Sequence, residues 1–147
     1  VIANGAPGYV TREHIVTPAP HPRLTKAKIY VLISNRTGPA GEHFTAAMKW
    51  SGRGTVIGAA TAGANHFGSI QRLGDGFTVF VPEGRTFNPT SGEDWESVGV
   101  APDIATRPED ALRIALIKSK VPAQKAAQLS ASYAPPGPFT KPPVITP

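Results

Sequence analysis

Between Lys28 and Ser34 the chain reads KIYVLIS, a continuous β-branched and apolar run. A run of that kind predicts a strand buried on both faces, in a sheet covered by helices. Ala40, Phe44, Ala47 and Met48 then recur at helical spacing, which predicts a helix over Pro39–Ser51 that stops at Gly52. Pro39 suits the first helical position, because the N–H it lacks would be unpaired there in any case. Thr55 to Gly58 reads as a second short buried strand. Gly68–Leu73 and Phe77–Pro82 flank Gly74-Asp75-Gly76, a hairpin signal, and alternation puts Phe77, Val79 and Val81 on one face of the second arm. Pro108–Lys118 predicts a helix with Thr106 or Arg107 near its cap and Ala111, Leu112, Ala115 and Leu116 facing inward. Ala123 to Ser130 predicts a short helical stretch. The order strand–helix–strand–hairpin–loop–helix is that of an α/β fold, and no internal repeat is visible.

Composition sharpens the boundaries. Of 147 residues 40% are hydrophobic and 16 are prolines, four of them between Pro7 and Pro22 and six between Pro135 and Pro147. The expected division is therefore an extended arm over 1–25, a packed core over 26–120 and a Pro-rich tail over 121–147. Apolar residues alternate only briefly in the arm, from Tyr9 to Val16, which allows one edge strand there. The net charge of +5 comes from dispersed residues such as Lys26, Arg53, Arg85 and Arg113. With no basic run interleaved with aromatics, this argues for a solvated surface and against nucleic-acid binding. There are no cysteines, so disulfides and thiolate metal sites are excluded. No apolar run is long enough for a membrane helix. No signal peptide is visible and the first residue is Val1, so the chain reads as processed or as a piece of something longer.

The strand running into a helix at Pro39 is also the place to look for chemistry, because a helix N-terminus offers unpaired N–H groups and a partial positive charge. Three stretches, VLISNRT-x-x-AGEHF, GRGTVIGAATAGAN and RLGDGFTVFVPEGRTFNPTSGEDWESVGVAPDI, follow one another from Val31 to Ile104. In order and spacing they resemble the tail-specific (C-terminal-processing) serine peptidases, and most closely the branch that holds tricorn protease and the retinoid-binding modules. The resemblance spans about Lys26 to Ile117. It implies the C-terminal part of a catalytic domain with a ClpP/crotonase-like ββα superhelix, present only in part. It also implies a parent activity of cleaving peptide bonds near protein C-termini without metal or cofactor.

In that family a Thr-x-Ser-Ala-x-Glu segment opens the helix with the nucleophilic serine. The matching residues here are Thr37, Gly38, Pro39, Ala40, Gly41 and Glu42, so the nucleophile position holds Pro39. Acyl transfer through the enzyme needs an oxygen or sulfur nucleophile, which proline lacks. The general-base lysine of the processing peptidases falls on Ala64, and the glutamate of the Gly-Glu-x-Thr motif falls on Ala59. The Glu-x-x-Gly-Val-x-Pro-Asp motif is intact as Glu96, Gly99, Val100, Pro102 and Asp103. By resemblance Glu96 is an orienting carboxylate, and the backbone N–H of Ala40 is half of an oxyanion hole. The segment supplying the other half, and the domain supplying a histidine in the tricorn-like branch, are expected upstream of this chain.

Each of these residues also has a plainer reading. Glu96 can cap a turn near Trp95, Asp103 can hold loop backbone, and Glu42 is accounted for by the helix dipole. Ser34 or Thr37 could replace the missing hydroxyl only by moving about a turn. Gly63, Asn65 and His66 lie on a Gly-rich loop where the resemblance places the substrate groove; Gly63 also suits a turn and His66 simple solvation. His14, His21 and His43 have no metal-ligand spacing. Trp50 and Trp95 are expected to be packing residues. The tail APPGPFTKPP could present a polyproline II ligand. Three functional readings follow: a peptidase-family domain inactive through Pro39, a non-catalytic peptide- or lipid-binding module, and a fragment needing its upstream half. Expected partners are a peptide or protein C-terminus, the upstream segment of the same domain, or a second copy of the chain. The resemblance favours a periplasmic or extracellular location.

Overall fold

The structure is a computed structural model that describes residues 10–12, 20 and 24–133. Apart from residues 10–12, which lie in no element, the strand expected around Tyr9–Val16 falls outside the described residues, as does the tail APPGPFTKPP.

Strand β1 (Tyr30–Ile33) runs into helix α1 (Pro39–Trp50), and the chain returns as β2 (Thr55–Gly58). Hairpin strands β3 (Phe67–Gly74) and β4 (Phe77–Gly84) follow, then β5 (Ile104–Ala105), α2 (Pro108–Lys118) and α3 (Ala123–Ser132). β1, β2 and β5 form one parallel sheet in the order β1-β2-β5, with Tyr30 opposite Thr55 and Ile57 opposite Ile104. Mixed α/β structure is thus what the chain adopts. The sequence reading lacked β5, because two residues carry no period.

Val56 and Ile57 are both fully buried, and neighbours on a strand point to opposite faces. β2 is therefore covered on both sides. Ile57 packs with Ala111 and Ala115 of α2, joined by Tyr30, Ile104 and Ile114. A second cluster unites Ala46 of α1 with Trp95, Val100 and Trp50. Asp103 ties the following loop to the sheet: its Oδ2 accepts from the Val56 N–H at 2.8 Å, and its own N–H donates to the Val56 carbonyl. This is the backbone-holding role expected of Asp103, applied to β2. Lys49 reaches across from α1 to the Ala101 carbonyl at 2.6 Å and to Asp103 at 3.4 Å.

One expectation about burial needs correction. Among the described residues β1 lies at the edge of its sheet, and its Leu32 is 41% exposed, so it is not buried on both faces. In α1 the stripe of Ala40, Phe44 and Ala47 is exposed, with Phe44 at 57%, while Glu42, Thr45 and Ala46 are buried. The helix turns a partly polar face inward because the loop behind it offers hydrogen-bond donors to Glu42.

The hairpin forms as expected, as a separate two-stranded sheet. Asp75 and Gly76 both have positive φ, 48° and 81°, the pattern of a type I′ turn whose twist matches that of the strands. Both faces are open, and Ile70, Leu73, Phe77 and Phe80 are more than half exposed. Arg107 is the N-cap of α2 and makes no side-chain capping hydrogen bond. In its first turn, the hydrogen bond from Arg107 and then that from Arg113 hold the Asp110 carboxyl below its ordinary range. α3 packs on α2 and buries Ala126 completely. Among the described residues no helix is long and apolar enough to cross a membrane.

Candidate functional site

Pro39 is the first residue of α1, behind an extended Gly38 (φ −91°, ψ −173°) that provides no side-chain cap. Pro39, Ala40 and Gly41 are all exposed. The nearby hydroxyls are engaged locally: Thr37 Oγ1 accepts from the Ser34 N–H at 3.1 Å, and Ser34 Oγ from the Arg36 N–H at 3.2 Å. Neither presents its oxygen at the Pro39 position without breaking that turn.

One turn into the helix, Glu42 is fully buried. Its Oε1 accepts from the Thr61 hydroxyl and the Gly63 N–H, both at 2.6 Å, and its Oε2 accepts from the Ala64 N–H at 3.0 Å. Thr61 Oγ1 in turn accepts from the Val100 N–H at 2.7 Å. The Ala62 N–H donates to the Thr37 carbonyl at 3.1 Å. The loop over residues 61–66 is thus fastened to α1 on both sides of Pro39. Glu42 does far more than complement the helix dipole. The sequence held no sign of this, since its donors lie about twenty positions downstream. Gly63 is required where it sits: φ is +84°, and a Cβ would come within 2.9 Å of the Ser97 carbonyl carbon. Ala64 meets Glu42 through its backbone N–H.

Glu96 holds the end of the same loop. Its Oε2 accepts from the Asn65 N–H at 2.7 Å and the His66 N–H at 3.2 Å, and it meets His66 Nδ1 at 2.8 Å. The Glu96 N–H donates to Asp94, which is paired with Arg85. The buried Asn65 side chain exchanges two hydrogen bonds with the Thr86 backbone, at 2.7 and 3.0 Å, and so ties the loop to the segment leaving the hairpin. His66 is therefore a paired side chain, not simply a solvated one. The structure brings Gly63, Asn65, His66 and Glu96 together. It places Pro39 and Ala40 at the neighbouring helix end, joined to this loop through Thr37 and Glu42. Trp95, next to Glu96, is a packing residue as expected: it is 2% exposed, with its ring 5.7 Å from that of Trp50 and 6.2 Å from that of His43.

The Asn65 N–H, and after it the His66 side chain, lower the Glu96 carboxyl below its ordinary value of 4.5. A depressed carboxyl stabilises the fold above the unfolded value, and that contribution is lost as pH falls through the folded value. Unfolding midpoints in urea should accordingly drop as pH is taken from neutrality to below 4.5, and Glu96→Gln should show a smaller drop over the same range. Equal pH dependence in the two proteins would contradict this linkage. Among the described residues no group of three or more His, Asp or Glu side chains could hold a metal ion.

Comparison with known proteins bears on this site directly. The C-terminal processing peptidase of the chloroplast of Tetradesmus obliquus is 35% identical over 81 residues, which is 55% of this chain and 17% of that protein. The solved structure of a photosystem II D1 C-terminal processing protease matches with a TM-score of 0.50 and 33% identity, over 57% of this chain and 22% of that one. The chain thus spans less than a quarter of either relative's length. The profile of peptidase family S41 matches residues 3–106, a stretch that contains Pro39, the loop 61–66 and Glu96, and on that match the chain belongs to peptidase family S41.

Proposed function

We propose that this chain is a peptidase-fold domain that receives a polypeptide carboxyl end but lacks the family's covalent chemistry. The observation that carries this reading is Pro39 itself: the first residue of α1, where the family resemblance expects a serine, has neither a hydroxyl nor an N–H. Ala64 at the lysine position removes the matching base. Around that gap Glu42 and Glu96 together bond six groups of the loop 61–66 that flanks it. On this reading the fold is the C-terminal part of a ββα superhelix of the ClpP/crotonase kind. Its core runs over 26–120, and its upstream partner strands are supplied by a segment outside this chain. Ala40 N–H and the loop residues Gly63, Asn65 and His66 are then the groups that meet the ligand.

A ligand-binding module on the same scaffold has its own support. Phe44 on α1 and Ile70 and Phe80 on the hairpin are exposed apolar side chains, which suit an apolar or lipid ligand as well as a peptide. Titration with peptides bearing a free or an amidated C-terminus, followed by mass spectrometry of the mixture, tests the main reading. The expected result is saturable binding that prefers the free carboxylate, with no new fragments. Fragments that accumulate in proportion to the protein, or equal binding of both peptides, would overturn it.

A further inference from the structure

Glu96 orients His66 as a base would need to be oriented. With Nδ1 on the Glu96 carboxylate at 2.8 Å, the ring's Nδ1–H is the donor, and the lone pair of the neutral imidazole lies on Nε2. The ring is 41% exposed and its loop cannot easily shift, because Asn65, Gly63, Ala64 and Thr61 are bonded to three different parts of the chain. The remaining charged groups behind the dyad, Asp94 and Arg85, are paired with each other. We propose that His66 is a general base that activates water against acyl esters whose leaving group departs as an anion, with Glu96 as its positioning residue. The reaction needs neither a hydroxyl at Pro39 nor a second domain.

In the step, the water oxygen adds to the ester carbonyl carbon while Nε2 takes one of its protons. The tetrahedral adduct then breaks its bond to the leaving-group oxygen, which keeps the electron pair; the carboxylic acid so formed loses the second proton of the water to solvent, and Nε2 returns the first. The products are the carboxylate and the alcohol or its anion. An amide nitrogen leaves as a far more basic group than the oxygen of such an ester, so peptides remain uncut, in keeping with the proposed function; yet the dyad is judged by ester turnover alone and does not depend on peptide binding.

The test uses the full chain and 4-nitrophenyl acetate, with N-acetylhistidine at equal concentration as reference. The chain should exceed the reference, react more slowly in D2O, and carry no acetyl group on His66 by peptide mass mapping. Positioned acid–base groups contribute about 10²–10⁴-fold, so His66→Gln should lose at least tenfold. Glu96→Gln should lower the rate, and Glu96→Asp, which keeps the carboxylate, should recover part of it, a rescue of ester turnover that a merely structural pairing would not produce. His66 is exposed, so His66→Gln should fold, and far-UV circular dichroism verifies that. An unchanged rate in folded His66→Gln, a rate no greater than the reference, or an acetylated His66 would each overturn the proposal.

Discussion

Replacing Glu42 with alanine should destabilise the domain by about 3 kcal/mol, a large share of the stability of an ordinary domain. The side chain is fully buried and accepts hydrogen bonds from Thr61, Gly63 and Ala64. Its loss strands three donors away from water, each costing about 1–3 kcal/mol unless the loop opens. Glu42→Gln is the more informative variant. Its carbonyl oxygen can still serve Thr61 and Gly63, but its amide N–H2 would then face the Ala64 N–H, donor against donor. Urea unfolding should rank the wild type above Glu42→Gln and Glu42→Gln above Glu42→Ala. Equal midpoints for all three would mean that the buried contacts contribute nothing net.

Trp95→Ala should cost a similar amount, about 3–5 kcal/mol, through the cavity left among Ala46, Trp50 and Val100. Trp95→Phe should behave differently. The Trp95 indole N–H is buried without a hydrogen-bond partner, and a buried donor in that state opposes folding. A phenyl ring restores much of the packing and removes the unpaired N–H, so its cost should stay below about 1.5 kcal/mol. Thermal melting of both variants checks the contrast, and a phenylalanine as damaging as alanine would show that the N–H matters in some other way. Since Trp95 precedes Glu96, Trp95→Ala should also loosen the grip on Asn65 and His66.

The helices and the hairpin were legible in the sequence because their signals are local. Pro39 and Pro108 each open a helix at the first helical position, and Gly74-Asp75-Gly76 makes the hairpin turn. What was not legible depends on partners distant along the chain. The apolar residues Ala40, Phe44 and Ala47 marked the period of α1 correctly yet lie on its exposed face. The buried face is chosen by Glu42, whose donors at Thr61, Gly63 and Ala64 are brought to it only by the return through β2. β5 is two residues long and exists only through its pairing with β2. In the site, the intact Glu-x-x-Gly-Val-x-Pro-Asp motif singled out Glu96 by resemblance, but its pairing with His66 spans thirty positions and no local pattern encodes it. That the loop 61–66 is fastened by two carboxylates from different elements is a property of the fold alone.

On the proposed function, no side chain at the start of α1 forms the covalent adduct of a serine peptidase. This is tested most directly by treating the chain with a serine-directed phosphonate and measuring its intact mass, with an active C-terminal processing peptidase as positive control. The mass of this chain should stay unchanged under conditions that label the control fully. A stoichiometric gain that maps to Ser34 or Thr37 would mean that a neighbouring hydroxyl has replaced the one absent at Pro39, and the reading of the site as lacking a covalent nucleophile would be wrong.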